Sequence, residues 1–151
     1  MKEIKSVDKN SSRALQLALN AHHGQFDLGG KPYKNHIIAV GENLKKMSED
    51  DDTLAVAYLH DTLEDSETSI DRLEELFSKE IVEAVMALTK KPKEPYQIYL
   101  NRVKVNSMAR IVKIADLQHN SDISRIKNPE KRDFKRLEKY IKAISFLEGE
   151  D

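Results

Sequence analysis

At 151 residues, 39% hydrophobic and 34% charged, with five Gly and four Pro, the chain has the size and composition of one helix-rich globular domain able to bury its own core. The absence of Cys excludes a disulfide scaffold, a thiolate zinc site and a cysteine nucleophile; any metal must be held by His, Asp or Glu, and a reducing compartment fits. The 25 Lys and Arg nearly cancel the 26 Asp and Glu, so bulk charge favours neither nucleic acid nor a membrane surface as a partner.

The opening stretch MKEIKSVDKN is polar, with no signal-peptide core, and no segment approaches the roughly 18 apolar residues of a membrane span, so a cytoplasmic protein is expected. Almost every later segment repeats with the helical period, and its punctuation marks eight helices. The first covers about 11–23, with Ala14, Leu15, Ala18 and Leu19 on one face, and ends before Gly24. The loop GQFDLGGKPYKNH follows, broken by Gly29, Gly30 and Pro32. The second helix runs from Tyr33 to about Met47, with Ile37, Val40, Leu44 and Met47 as its stripe. SEDDD at 48–52 brings negative charge to the start of a third, favourable against the helix dipole. A short fourth, 70–77, follows a Ser69 cap. The fifth, 79–88, turns Ile81, Val82, Val85 and Leu88 inward and meets the breaker TKKPKEP. Pro95 suits the first turn of a sixth, PYQIYLNRVKV. A seventh, SMARIVKIADLQHN, is apolar nearly all round, as a central helix must be. The eighth starts at NPEK, with Asn128 as cap and Pro129 in first position, and reaches about Leu147. No alternating strand pattern competes, so the expected fold is all-α, a compact single-domain bundle of about eight helices over 1–151.

The third helix poses the main chemical question. In AYLHDTLEDSETS, residues 57–69, an apolar segment runs straight into His60, Asp61, Glu64 and Asp65. Dehydrating an ionised carboxylate is costly unless a partner or cation compensates. The seventh helix, also buried by its pattern, carries Asp116 in the same situation. His60 and Asp61 lie about 100° apart round a helix, so both reach one cation between them. Asp116 can complete that side, and His36, just after the Gly-rich loop, is a candidate fourth ligand. Two imidazoles and two carboxylates suit Mn, Fe or Zn better than Mg or Ca. Such a cation acidifies water and neutralises charge on a phosphoryl oxygen, and Glu64 and Asp65, one turn on, are placed to orient that water or move its proton. A lone His-Asp pair is usually structural; here the apolar surroundings, Asp116 on a second helix and two further carboxylates at one-turn spacing argue for a site.

In chain order, AHHGQ, GKPYKNH, AYLHDTLEDSETS, ALTK and VKIADLQHNSD resemble the motifs of the HD-domain metal phosphohydrolases. The likeness is strongest to the branch that hydrolyses guanosine tetraphosphate and pentaphosphate, and it covers about residues 14–126. The resemblance implies His36, His60, Asp61 and Asp116 as ligands of a divalent transition metal, commonly manganese, and Glu64 and Asp65 as the catalytic carboxylates. It also implies that Asn120 contacts the nucleotide and that Arg102, on the sixth helix, meets phosphate. Two departures stand out. Phe26, Asp27 and Leu28 occupy the place where this branch carries basic residues that meet the nucleotide, and an acid near a polyphosphate is a poor exchange. Ile37 follows His36 where the family usually has Pro, which affects backbone entry more than ligation. Nothing corresponds to the synthetase or regulatory domains of the long alarmone enzymes.

Other residues allow two readings. Lys113, three before Asp116, either balances that charge or reaches a phosphate, and Tyr140 either stacks on a base or belongs to the core. His119, one turn after Asp116, is read as support for the ligands, the other reading being contact with substrate. His22 and His23 end the first helix, where a cationic His complements carbonyl ends. The run 127–142, with seven basic and three acidic residues, is a solvated face or a guide for phosphate. The leading expectation is a metal-dependent phosphohydrolase acting on a small-molecule nucleotide, first the 3′-pyrophosphate of an alarmone, with a simpler nucleotide phosphatase second. The competing expectations are a non-catalytic module that holds metal or nucleotide for regulation, and a metal-free helical domain. No nucleic-acid or membrane partner is expected, and the sequence leaves the oligomeric state open.

Overall fold

The computed structural model describes residues 9–149, so residues 1–8 of the polar opening stretch lie outside the described residues. Within them the chain forms α1 (Asn10–Ala21), α2 (Tyr33–Lys45), α3 (Asp51–Leu59), α4 (Thr62–Asp65), α5 (Ile70–Leu76), α6 (Lys79–Leu88), α7 (Tyr96–Val105), α8 (Ser107–Asn120) and α9 (Lys131–Leu147). A 3-10 turn spans Ile123–Arg125, and the β structure among the described residues is an isolated bridge between Phe26 and Pro32. The fold is all-α, as expected. No helix among the described residues is long and apolar enough to cross a membrane.

Short polar side chains fix where the helices start. Asp50 accepts from the Thr53 amide (2.9 Å) and hydroxyl (2.7 Å) at the head of α3, and Asp51 and Asp52 add charge to its first turn. Ser69, Ser78 and Asn106 cap α5, α6 and α8 in the same way. At α9 the structure departs from expectation: Asn128 has φ of 54° and lies outside the helix, and Glu130 caps it through a reciprocal box with Asp133. Two reciprocal bonds satisfy more orphan amides than one Asn cap followed by Pro129.

The expected third helix is divided. α3 ends at Leu59, His60 is its last cap, and Asp61 adopts φ −105° and ψ 2° before the single turn of α4. Thr62 supplies a reason: its hydroxyl donates to the Leu59 carbonyl (2.8 Å), and His60 Nδ1 engages Ala57 O (2.7 Å), so side chains take carbonyls at the end of α3.

α3 is the hub of the bundle, packed by α1, α2, α6 and α8, while α8 also meets α2, α7 and α9. Its residues 55–59 are buried on every side, which is why it is apolar all round. Gly41 sets the closeness of α2 to α3: a Cβ there would fall 2.5 Å from the Tyr58 ring. Ile37, Val40 and Leu44 fill the core behind it, whereas Met47, expected on that stripe, lies past the end of α2 and is 40% exposed. The bundle thereby brings residue 36 of α2, the α3–α4 corner and the middle of α8 together.

Candidate active site

His36 on α2, His60 at the end of α3 and Asp116 in α8 are all buried, and one donor atom from each lies within 4.8 Å of the others. His36 Nε2 is 3.0 Å from Asp116 Oδ1, and His60 Nε2 is 3.3 Å from the same oxygen. Asp61 stands at the edge of this group, its Oδ2 3.1 Å from His60 Nε2 and held by the Tyr33 hydroxyl. The four expected ligands therefore converge, the three mutually close ones being His36, His60 and Asp116.

The geometry at His60 fits a cation. Its Nδ1 faces the Ala57 carbonyl and so carries the proton, which leaves a lone pair on Nε2. That Nε2 is buried without a hydrogen-bond partner although two carboxylate oxygens lie within 3.3 Å. A lone pair facing two acids is repulsive unless positive charge sits between them. Burial disfavours a charged His60, yet Asp61 and Asp116 hold its pKa well above the usual value: the pocket demands a cation, proton or metal. Burial likewise opposes ionisation of the acids, but His60 keeps the Asp61 carboxyl at about 2, and Lys113 with His60 keeps Asp116 well below its usual range.

Behind these four side chains stand three supports. His119 Nδ1 is 2.7 Å from His36 Nδ1. Lys113 Nζ donates to Asp116 Oδ2 (2.9 Å), and Asn120 Nδ2 donates to Asp116 Oδ1 (3.1 Å). The AHHGQ segment braces α4: Gln25 donates to the Asp65 carbonyl (2.7 Å) and meets His22 Nδ1 (3.1 Å), while His23 is exposed. Glu64 Oε1 accepts from the Lys90 amide (3.0 Å). Burial raises the pKa of both Glu64 and Asp65, and Asp61 adds to the rise in each.

These groups open onto a cleft of about 440 Å³. Its floor holds His36, Asp61, Asp116, Glu64 and Asp65; Lys113, Arg125 and Arg136 bring positive charge; Tyr140, Phe26, Leu28 and Ile126 supply aromatic and apolar wall. Asn120 lines the cleft as well. Arg102 is not among the lining residues: its guanidinium is paired with Glu94 and bonded to carbonyls at the end of α6. Asp27 does not face a polyphosphate as a bare acid, since it accepts from the Gly29 and Lys31 amides (2.9 and 3.0 Å) and pairs with Arg125 (2.8 Å). Of the basic run on α9, Arg136 reaches the cleft and most of the remainder is exposed.

The sequence expectations lacked Tyr33 and Arg125, and held Arg136 only as one member of the basic run 127–142. Tyr33 lies within the quoted GKPYKNH and three residues before His36, a helical spacing that was available as a signal. Arg136 likewise precedes Tyr140 by four. Arg125 carried no local signal, because its partner Asp27 is 98 residues away.

The HD domain family matches residues 14–136. The chain is 32% identical over 135 residues to the bifunctional (p)ppGpp synthase/hydrolase SpoT of Escherichia coli K12, covering 82% of this chain and 19% of that protein. A probable guanosine-3′,5′-bis(diphosphate) 3′-pyrophosphohydrolase of Synechocystis is 31% identical over 143 residues (87% of this chain, 19% of the relative). A GTP pyrophosphokinase of Streptomyces coelicolor is 34% identical over 142 residues (88% and 17%). The chain thus spans about a fifth of the length of these curated relatives. Among solved structures, a metazoan ortholog of SpoT described as hydrolysing ppGpp shares the fold, with a TM-score of 0.74 at 24% identity over 94% of this chain and 87% of the other.

Proposed function

This chain belongs to the HD-domain family, and from that premise we propose that it is a metal-dependent phosphohydrolase that removes the 3′-pyrophosphate of guanosine tetraphosphate and pentaphosphate. The observation that carries the reading is the unpaired Nε2 of His60, buried among donors from His36, Asp61 and Asp116. These four residues would hold a divalent transition metal, manganese first and iron or zinc next, given the mixed nitrogen and oxygen donors. When bound, it supplies positive charge against phosphoryl oxygens and acidifies water.

The chain's own groups do the remainder. Tyr33 and Lys113 hold the Asp61 and Asp116 carboxylates in place. Lys113 and Arg136 draw the substrate's phosphates into the cleft, and Asn120 meets the nucleotide at its wall, with Tyr140 as the flat surface beside it. Glu64 and Asp65, made more basic by burial, orient the attacking water and take its proton. Water adds to phosphorus, the bond to the 3′ oxygen breaks, that oxygen takes a proton, and pyrophosphate leaves. The names of the relatives support this substrate. We further propose that the chain works as one HD-type unit in the cytoplasm, without nucleic acid or membrane as partner.

The test is turnover by purified protein loaded with Mn(II) on a nucleotide panel that includes guanosine tetraphosphate. Wild type should release pyrophosphate, and Asp61→Ala should lose more than about a hundredfold in kcat. No turnover of any nucleotide, or equal turnover by Asp61→Ala, overturns the reading. A binding module is the second reading, favoured by Phe26 and Leu28 at the cleft wall in place of cations; it calls for tight nucleotide binding with no product over hours.

A further inference from the structure

We propose that the ion pair of Arg102 with Glu94 positions the Glu64 carboxylate, acting through the backbone of the 89–94 loop; this rests on the reading of Glu64 as a catalytic carboxylate. Glu64 sits on α4, a helix of four residues, and one turn cannot by itself hold a side chain in a fixed direction. Its Oε1 is held from outside, by the Lys90 amide at 3.0 Å. Lys90 follows the C-terminal end of α6, where unpaired carbonyls point outward.

α7 ties those carbonyls down. Arg102 Nε donates to Ala87 O (3.3 Å), Arg102 Nη2 to Thr89 O (3.1 Å), and the Tyr99 hydroxyl to Leu88 O (2.8 Å). The same guanidinium forks onto Glu94, with Nη2 at 3.0 Å from Oε1 and Nη1 on Oε2. Glu94 closes the circle, its Oε1 accepting from the Lys91 amide (3.0 Å) and its own amide donating to Lys91 O (3.1 Å). Arg102 therefore grips the end of α6 at residue 87 and the loop at residue 89 directly, and the loop at 91 through Glu94, and Lys90 lies between the last two. Lys91, Pro92 and Lys93 are exposed, and Lys93 has φ of 64°, so little else in the loop holds this conformation. The planar fork of an arginine fixes direction as well as distance, which lysine cannot reproduce. Arg102 thus serves the reaction from outside the cleft, in place of the phosphate contact that the resemblance implies.

The experiment uses the full chain loaded with Mn(II), guanosine tetraphosphate as substrate, and the variants Glu94→Ala, Arg102→Lys, Glu64→Gln and the double Glu94→Ala/Glu64→Gln. Glu94→Ala should lower kcat between about ten- and a hundredfold, with KM and manganese affinity unchanged. In the Glu64→Gln background the same change should cost less than about twofold, because both act through one group. Arg102→Lys should fall between wild type and Glu94→Ala in kcat. The Lys90 amide resonance, read by NMR without substrate, should shift in Glu94→Ala. Should Glu94→Ala fail to fold, Glu94→Gln carries the same test. A raised KM with unchanged kcat in Arg102→Lys overturns the proposal and returns the guanidinium to phosphate binding. Multiplicative losses in the double variant overturn it in favour of a purely structural clamp. Full loss in Glu64→Gln with none in Glu94→Ala defeats the clamp alone, whereas unchanged kcat in Glu64→Gln defeats the catalytic reading first and the clamp with it.

Discussion

His36 and His119 meet through their Nδ1 atoms at 2.7 Å, so one of the two must donate and the other accept. With a cation on His36 Nε2, His36 Nδ1–H donates and His119 must keep a free lone pair. It does: burial, reinforced by Arg125, lowers the His119 pKa to about 4, so the ring is neutral near physiological pH. His119→Ala should therefore weaken manganese binding by about 10–100-fold in a chelator-competition titration while leaving the helical circular dichroism unchanged. Unaltered affinity would mean that His36 is oriented without it. At this scale the sequence was legible wherever one side chain's chemistry sufficed: His36, His60, Asp61 and Asp116 were nameable because imidazoles and acids beside apolar runs need a reason to be there. The partners of Arg102, named from the resemblance as a phosphate contact, were not legible, because Glu94 and the carbonyls of Ala87 and Thr89 are set by how α6 and α7 pack, which no spacing within α7 records.

Helices were readable from their periods and caps, corners less so. The stripe 81, 82, 85 and 88 on α6 is buried as its spacing requires, and Ser69 caps α5. The break at His60 and Asp61 left no trace in the apolar period, since one helix and two helices joined by a single corner repeat alike over ten residues. That corner matters, because Asp61 leaves the helical path there. The approach of α2 to α3 sets whether His36 reaches the corner at all; the His36 and His60 rings are 5.5 Å apart. Gly41→Ala should push against the buried Tyr58 ring and destabilise the fold by about 1–3 kcal/mol in urea unfolding, with metal affinity falling as the helices separate. A stability within about 0.5 kcal/mol of wild type would show that Tyr58 moves aside freely and that Gly41 does not set the spacing.

Across the whole molecule, the bundle gathers donors far apart in sequence and closes the cleft with pairs such as Asp27 with Arg125, 98 residues apart. That pair changes the meaning of the 26–28 loop: an acid that looks unfavourable to a polyphosphate is already neutralised, and Phe26 and Leu28 are presented at the wall. The fold class and the gathering of His36, His60, Asp61 and Asp116 side chains were legible in the sequence because both follow from what must be buried. Arg125 in the cleft and the clamp on Glu64 were not legible there, because they follow from what is packed against what. The claim on which all of this turns is one cation shared by α2, the α3–α4 corner and α8. Anomalous diffraction from crystals soaked in Mn(II) tests it most directly. A single strong peak is expected, with His36 Nε2, His60 Nε2 and the Asp61 and Asp116 oxygens each within roughly 2.0–2.3 Å of it. A peak elsewhere, or none at these residues at saturating manganese, would contradict it.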